Sequence, residues 1–313
     1  MDNQVTSTTG SFRVPNSVVQ GLTTSTDTDL NSLSAFQMVT LLGLLSKVSQ
    51  KNPRREVRMT VSEILRIIEV SEIVDHAVTR GWETIKGEKR QRTYSGRRFS
   101  PKHIQKIHDT LLTLHDRKVV IRRNSKQRRE VADRIVHILD SFGYVYKCDG
   151  EMLDLDDLPP GNHKFNIGTD DRPVFRVCKT TGAETSFRRP IGVLFRLNGE
   201  LADELTNKKK GTIGYTLFAR KVFGLLRQHI RHPAAIRLIL LILRQTDKEF
   251  TRNIGPASEG LGWDVTHPKR AAAECEKILL SLKEEGLVVD FDLDPGKGKL
   301  WIKLNREWYR EGA

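Results

Sequence analysis

"THPKRAAAECEKILLSLKEEGLVVDFDLDPGKGKLWIKL", residues Thr266 to Leu304, decides how this chain is read. Thr266 stands at the cap position of a helix, and Pro268 falls in its first turn, where the missing N–H removes no intrahelical bond. Ala272, Cys275, Leu279 and Leu282 then recur on one stripe, and Gly286 stands just past the end, where a left-handed residue commonly closes a helix. Beyond it the period changes. Val288, Val289, Phe291 and Leu293 lead into Pro295, Gly296 and Gly298, and Leu300, Ile302 and Leu304 lead out in alternation. That pattern predicts a β-hairpin with Lys297 and Lys299 at its solvated end. The Gly-Lys-Gly-Lys tip is not a phosphate-cradling P-loop, which closes on Lys followed by Ser or Thr; here Leu300 follows Lys299.

The same order occurs upstream. In "SPKHIQKIHDTLLTLHDRKVVIRRNSKQRRE", Ser100 is the expected cap, Pro101 the first helical residue, and Ile104, Ile107, Leu111 and Leu114 form one face. "VVIRR" follows as a strand, "NSKQRREVAD" as a basic loop, and "RIVHILDSFGYVYK" as a returning strand region with a bend at Gly143. "LHDRKVVI" from Leu114 and "LKEEGLVV" from Leu282 share a pattern of helix-closing Leu, four mostly polar residues and an apolar strand. Counting back three, seven and ten places from each Leu gives Leu111, Ile107 and Ile104 in one copy and Leu279, Cys275 and Ala272 in the other. Before the first copy, "LSAFQMVTLLGLLSKVS" predicts a helix. "RMTVSEILRIIEV" predicts a short strand and a helix in which Thr60 and Glu63 have capping-box spacing. Helices followed by helix, strand, exposed loop and strand is the order of a winged helix. The predicted fold is therefore α+β, two tandem winged-helix domains, with "NSKQRRE" and "DPGKGK" as the wings.

The layout that follows has five parts. Residues 1–30, rich in Ser, Thr and Asp ("TTSTDTD"), are expected to be a disordered N-terminal arm. Residues 31–148 form the first winged helix. In "CDGEMLDLDDLPPGN" acids cluster, and Pro159, Pro160 and Gly161 stop regular structure, so 149–162 is placed as a linker. Residues 163–305 form the second unit. It runs from a small β region up to about Gly192, through "FRLNGELADEL" and "TLFARKVFGLLRQHI", helical in part, to "AAIRLILLILRQT", a buried helix. Residues 306–313 are a tail.

Composition narrows the class. Of 313 residues, 52 are Lys or Arg and 39 Asp or Glu, a net charge of +13. Between Lys86 and Arg129 stand 15 Lys or Arg against Glu88, Asp109 and Asp116, nearly the whole excess of the chain. So localised a basic face beside a helix–strand unit favours nucleic acid. The longest apolar run, "LILLIL" (Leu238 to Leu243), is far short of the ~20 residues that span a bilayer. No secretion signal opens the chain, and three widely spaced cysteines (Cys148, Cys178, Cys275) make no disulfide framework. A cytoplasmic protein without membrane association is expected.

In a winged helix the third helix enters the major groove and the wing touches the backbone or minor groove. The candidate DNA-binding residues of the second unit are His267, Lys269, Arg270, Ala273, Glu274 and Lys277 on the helix and Lys297 and Lys299 on the wing. Those of the first are Lys102, His103, Gln105 and Lys106 on the helix and Arg122, Arg123, Lys126, Arg128 and Arg129 on the strand and wing. Arg reads guanine bidentately, and Ala meets a thymine methyl.

Enzyme readings fare worse. A rolling-circle nickase needs a His-apolar-His metal pair, and none of the nine histidines is spaced by two. His267, Arg270, Trp301 and Tyr309 match the His-x-x-Arg, Trp, Tyr order of a tyrosine recombinase, but a hairpin stands where that class has helices. Cys148, His163 and Cys178 lack the tight spacing of a zinc site, and Asp154, Asp156 and Asp157 lack the Gly and Glu of an EF-hand. "HIRH" (His229, His232) is broken by Pro233 and receives no role. Neither a cofactor nor a metal is predicted.

With two winged helices, an acidic break between them and a closing "LWIKL" strand, residues 31 to about 305 resemble the plasmid replication initiators that bind iterons. Local patterns such as "LSAFQMVTLLGLLSKV" and "HPAAIRLILLIL" add to the resemblance. It implies a protein that binds directly repeated origin sequences in double-stranded DNA, helps open an adjacent AT-rich region, and recruits the host initiator and replicative helicase without a nucleotide site of its own. It also implies that the second unit supplies most base contacts, while the first contacts backbone and mediates a homodimer. The basic insertion at about Glu72 to Arg98 departs from that pattern. Transcriptional repression is the alternative function, and recombination the enzymatic one.

Overall fold

Apolar residues that the polar composition of the N-terminus conceals begin the fold. The computed structural model describes residues 10–23, 29–68, 82–85, 88–91, 101–125, 130–148, 151–153, 163–164, 175–177, 186–187, 192–206, 214–245, 247–253, 267–294, 299–305 and 307–308. Strand β1 (Ser11–Pro15) and helix α1 (Asn16–Thr23) bury Phe12, Val14, Val18, Val19 and Leu22 almost completely. Phe12 and Val14 alternate at strand spacing, then Val18, Val19 and Leu22 recur at helical spacing. The expected disordered arm is thus corrected for residues 10–23 and for Leu30, which is also fully buried. Residues 1–9 and 24–28 lie outside the described residues.

A 3-10 turn (Asp29–Ser32) leads to α2 (Ala35–Leu45), capped by Ser34 and Gln37, each accepting a hydrogen bond from the other's backbone N–H. Strand β2 (Val57–Thr60) runs into α3 (Val61–Ile68), and the predicted capping box is present: Thr60 N–H donates to Glu63 at 2.8 Å and Glu63 N–H to Thr60 Oγ1 at 3.1 Å. Within the basic insertion a short hairpin pairs β3 (Trp82–Ile85) with β4 (Glu88–Gln91). Helix α4 (Pro101–Asp116) begins at Pro101 as expected and buries Ile107, Leu111 and Leu114; the Ile104 side chain and Ser100 lie outside the described residues.

After α4 the structure departs from the reading of the sequence. Among the described residues, strands β5 (Lys118–Ser125) and β6 (Glu130–His137) pair only with each other. The chain breaks at Ile138, not Gly143, and continues as β7 (Leu139–Cys148). Next come β8 (Glu151–Leu153), a small sheet of β9 (His163–Lys164), β10 (Phe175–Val177) and β11 (Ser186–Phe187), and then β12 (Gly192–Leu197). Strand β12 lies between β2 and β7, antiparallel to both. The first unit's three-stranded core is therefore β2-β12-β7, and the connection from β7 to β12 holds the wing position. Two expectations are corrected here. "NSKQRRE" tips an added hairpin and is not the wing, and the acidic 149–162 segment is not an interdomain linker, because the chain returns after it to the first unit's sheet.

Helix α5 (Gly199–Thr206) follows, and β13 (Tyr215–Ala219) pairs antiparallel with β1, Ser11 opposite Ala219 and Pro15 opposite Tyr215. From here the second unit repeats the first. Strand β13 leads to α6 (Val222–Gln228) and α7 (Pro233–Leu243) as β1 leads to α1 and α2. Strand β14 (Glu249–Asn253), helix α8 (Pro268–Glu284), β15 (Val288–Asp294) and β16 (Lys299–Leu304) complete it in the sheet order β14-β16-β15. That order matches β2-β12-β7 and is what a winged helix requires. The unit boundary falls after α5, about 45 residues later than the acidic segment placed it by chain length.

One hydrophobic core spans both units. Helix α7, apolar at every position but Arg237, buries every residue from Ala235 to Leu243, as only a central helix does. It packs on α1 and α2, and α6 packs on α2 and α3. Buried Arg237 of α7 donates to the backbone carbonyls of Asn31 and Leu33, which ties the second unit to the turn before α2. The C-terminal residues are anchored at Trp308, over whose ring the Lys221 ammonium sits 4.4 Å from the centroid.

Candidate nucleic-acid interface

Helix α8 divides cleanly. Ala271, Ala272, Cys275, Ile278, Leu279 and Leu282 face the core, and Lys269, Arg270, Ala273, Glu274 and Lys277 are exposed. At 100° per residue, Lys269, Arg270, Ala273, Lys277 and Leu280 cluster on the side opposite the buried stripe. Burial, then the nearby Glu276 charge, pushes the Cys275 thiol up to about 12, so it stays a neutral packing group.

Both ends of the helix are set by local chemistry. The N-cap is His267 rather than the expected Thr266, which lies outside the described residues; the His267 side chain makes no cap hydrogen bond, and Pro268 opens the first turn. At the other end Gly286 adopts φ 76°, Leu287 N–H donates to Leu282 O and Gly286 N–H to Lys283 O, both at 3.0 Å. This is a Schellman closure. Lys283 Nζ binds Asp290 Oδ1 of β15 at 2.8 Å, and Gln228 of α6 donates to Glu285 at 2.7 Å. Hydrogen bond and charge from Lys283 lower the Asp290 carboxyl below its ordinary range. The helix is thus fixed at its C-terminal end, while its first three turns present their outer face to solvent.

The hairpin behind it follows the predicted alternation, with Leu300, Ile302 and Leu304 buried. A register shift between Val288 and Asp290 breaks the period, which leaves apolar Val289 exposed beside Asp290. Lys299, opposite Asp294, is exposed where β16 begins; Lys297 lies outside the described residues.

On α4 the arrangement is parallel but less basic. Lys102, His103 and Gln105 fall in the first turns of the helix, their side chains outside the described residues. Lys106 is exposed, its ammonium 3.9 Å from the Phe36 ring centroid on α2. Asp109 and Asp116 are exposed on the same helix, so its cationic residues are confined to the N-terminal half. His108 Nδ1 meets the Tyr144 hydroxyl of β7, and burial lowers the imidazole pKa, which holds the ring neutral. Gln37 of α2 donates to Thr113 Oγ1 at 3.2 Å and steadies the other flank. Arg122 and Arg123 lie on β5 opposite Asp133 and Ala132, with side chains outside the described residues, as are Lys126, Arg128 and Arg129 entirely.

Two outward residues were missed. Leu280 on α8 is 49% exposed and Leu112 on α4 is 42% exposed, each turned away from its buried stripe. Helical arithmetic on "KILLSL" and "HDTLLTL" could have found both, because each Leu lies off the core face.

The described part of Tyr309's surroundings ends at Trp308, so the recombinase nucleophile lies outside the described residues. Among the described residues no helix is long and apolar enough to cross a membrane.

No protein-family model matches the chain, and no curated protein matches it. Solved structures do. The chain is similar to a crystal structure of domains 2 and 3 of RctB at 12% identity and a TM-score of 0.43, over 87% of this chain and 82% of that one. It is also similar to the Pi initiator protein, solved in complex with iteron DNA, at 10% identity and a TM-score of 0.50, over 96% of this chain and 99% of that one. With both units built as helices over a three-stranded sheet in the same strand order, and with near-complete coverage of the Pi structure, the chain shares the tandem winged-helix fold of the Pi initiator protein.

Proposed function

We propose that this chain is a non-enzymatic, sequence-specific double-stranded DNA-binding protein that binds repeated origin sequences and initiates plasmid-type replication. The observation that carries the reading is α8. Lys269, Arg270, Ala273, Lys277 and Leu280 share one solvent-facing side of a helix whose other side is locked to the core, and a two-stranded hairpin with Lys299 stands behind it. In this reading Arg270 and Lys269 bond guanine edges, Ala273 and Leu280 meet thymine methyls, and Lys299 with Lys297 rides on phosphates. Helix α4 serves the first unit through Lys102, His103, Gln105 and Lys106, with Arg122, Arg123, Lys126, Arg128 and Arg129 on the added hairpin as backbone contacts. The Pi initiator, captured on iteron DNA, shares the fold and supports the assignment. Opening of an adjacent AT-rich tract and recruitment of a host initiator and helicase complete the proposal, as does a homodimer formed through the first unit.

Supplying the gene in trans to a plasmid whose origin carries the direct repeats flanking that gene tests initiation. The expected result is replication that depends on the repeats. Repression of a promoter placed over the repeats, with no replication, would assign the protein to transcriptional control instead.

A further inference from the structure

Between the two units runs a groove of about 1000 Å³. One wall is the turn at Asn31–Ser34 of the first unit; the other is the α6–α7 turn with the first three turns of α8. Among the described residues its lining carries His229, His232, Arg237, Arg270 and Lys277 against a single carboxylate, Glu274. That carboxylate lies 3.4 Å from the Arg270 guanidinium at i,i+4. His232 is the exposed N-cap of α7 and makes no side-chain cap bond there. The buried Nε2 of His229 has no hydrogen-bond partner among the described residues. A groove so lined fits an anion.

Its position says which anion. Arg270 and Lys277 belong to the outward face of α8 and also line the groove. Across the groove, Ser34 caps α2 together with Gln37, and Gln37 binds Thr113 of α4. The groove therefore adjoins the face of α8 assigned to the DNA. A duplex seated on that face brings a strand to its mouth.

We infer that the "HIRH" turn is a phosphate clamp: its exposed His232, with Lys277 opposite, holds the sugar–phosphate backbone of the strand that passes along α8. The inference rests on the DNA-binding reading above and adds a sequence-independent contact to it. A neutral imidazole offers one N–H to a phosphate oxygen, and an ammonium offers up to three. Such contacts set the register of the two units on the duplex without reading bases.

Fluorescence anisotropy on a mixed-sequence duplex, titrated with KCl from about 50 to about 300 mM, tests it through the slope of log affinity against log salt. His232→Gln, at an exposed position, and Lys277→Gln are compared with wild type, with circular dichroism to confirm folding. Lys277→Gln is expected to lower the slope by about one. His232→Gln should weaken binding several-fold, by the same factor on a selected repeat and on the mixed-sequence duplex. Unchanged affinity and slope in both variants, beside a steep wild-type slope, would overturn the clamp and leave the DNA-binding reading intact. A flat wild-type slope would overturn both. The Cε1–H resonance of His232 should shift on adding duplex but not on adding inorganic pyrophosphate; a shift with pyrophosphate alone would make the groove a free-anion site and end the proposal.

Discussion

Gly43 shows how one missing methyl sets a packing distance. A Cβ there would lie 2.8 Å from Ile67 Cγ2, so α2 and α3 can meet only over hydrogen. Gly43→Ala should destabilise the protein by about 1 to 3 kcal/mol through overpacking, read as a lower midpoint in urea. Gly286→Ala should cost about 1 kcal/mol for a different reason, since it forces a side chain into the left-handed region in open space. Equal stability of either variant and wild type would contradict the geometry. Of the two, Gly286 was legible from sequence, because it follows a complete helical stripe. Gly43 was not, because nothing near "LLGLL" reveals that a second helix crosses there. Much the same divides the candidate residues. Lys269, Arg270, Ala273 and Lys277 could be placed by counting around a helix, whereas the capture of Lys106 by the Phe36 ring depends on a contact about 70 residues distant in sequence.

At the scale of elements, helices were read more surely than strand partners. The stripe Cys275, Leu279, Leu282 and the capping pair Thr60 and Glu63 are local and came out as expected. Strand pairing is not local. Strand β5 occupies the place in sequence that β15 holds in the second unit, yet among the described residues it pairs with β6 alone, and β7 takes its place in the sheet. Nothing in "VVIRR" says whether its edge meets β2 or β12, and an acidic Pro-Gly segment reads alike as linker or as connection within a sheet. The proposed division of labour gives a test at this scale. Arg270→Ala should cost about 1 to 3 kcal/mol on a selected site and relax base preference at one position, with far less effect on mixed-sequence DNA. Lys299→Ala should weaken both alike. Uniform weakening by Arg270→Ala would reduce α8 to a backbone contact.

For the whole molecule, one core shared by two units makes folding and the spacing of α4 and α8 a single property. The pH dependence of stability should report this. Burial lowers His108, and burial followed by the nearby His232 charge lowers His229, both from an ordinary value of 6.5. Above that pH both rings are neutral in folded and unfolded chains and contribute nothing to the pH dependence. Below it the unfolded chain takes up protons first, so stability falls with pH until the folded pKa values are passed. Carboxylates act in a separate, lower window. For Glu63, burial would raise the pKa, but the hydrogen bonds from Lys47 and Thr60 together outweigh it, so its contribution is lost only below about 4.5. Urea midpoints should therefore drop between about pH 7 and 5 and drop less in His108→Gln. A flat profile across that window would contradict the burial of both rings.

The account stands most directly on selection of duplex DNA from a random library, followed by hydroxyl-radical footprinting of the recovered site. It predicts a shared sequence, protected on one face across two successive major grooves about one helical turn apart, and lost with Arg270→Ala. Recovery of no common sequence, or protection that Arg270→Ala leaves unchanged, would contradict it.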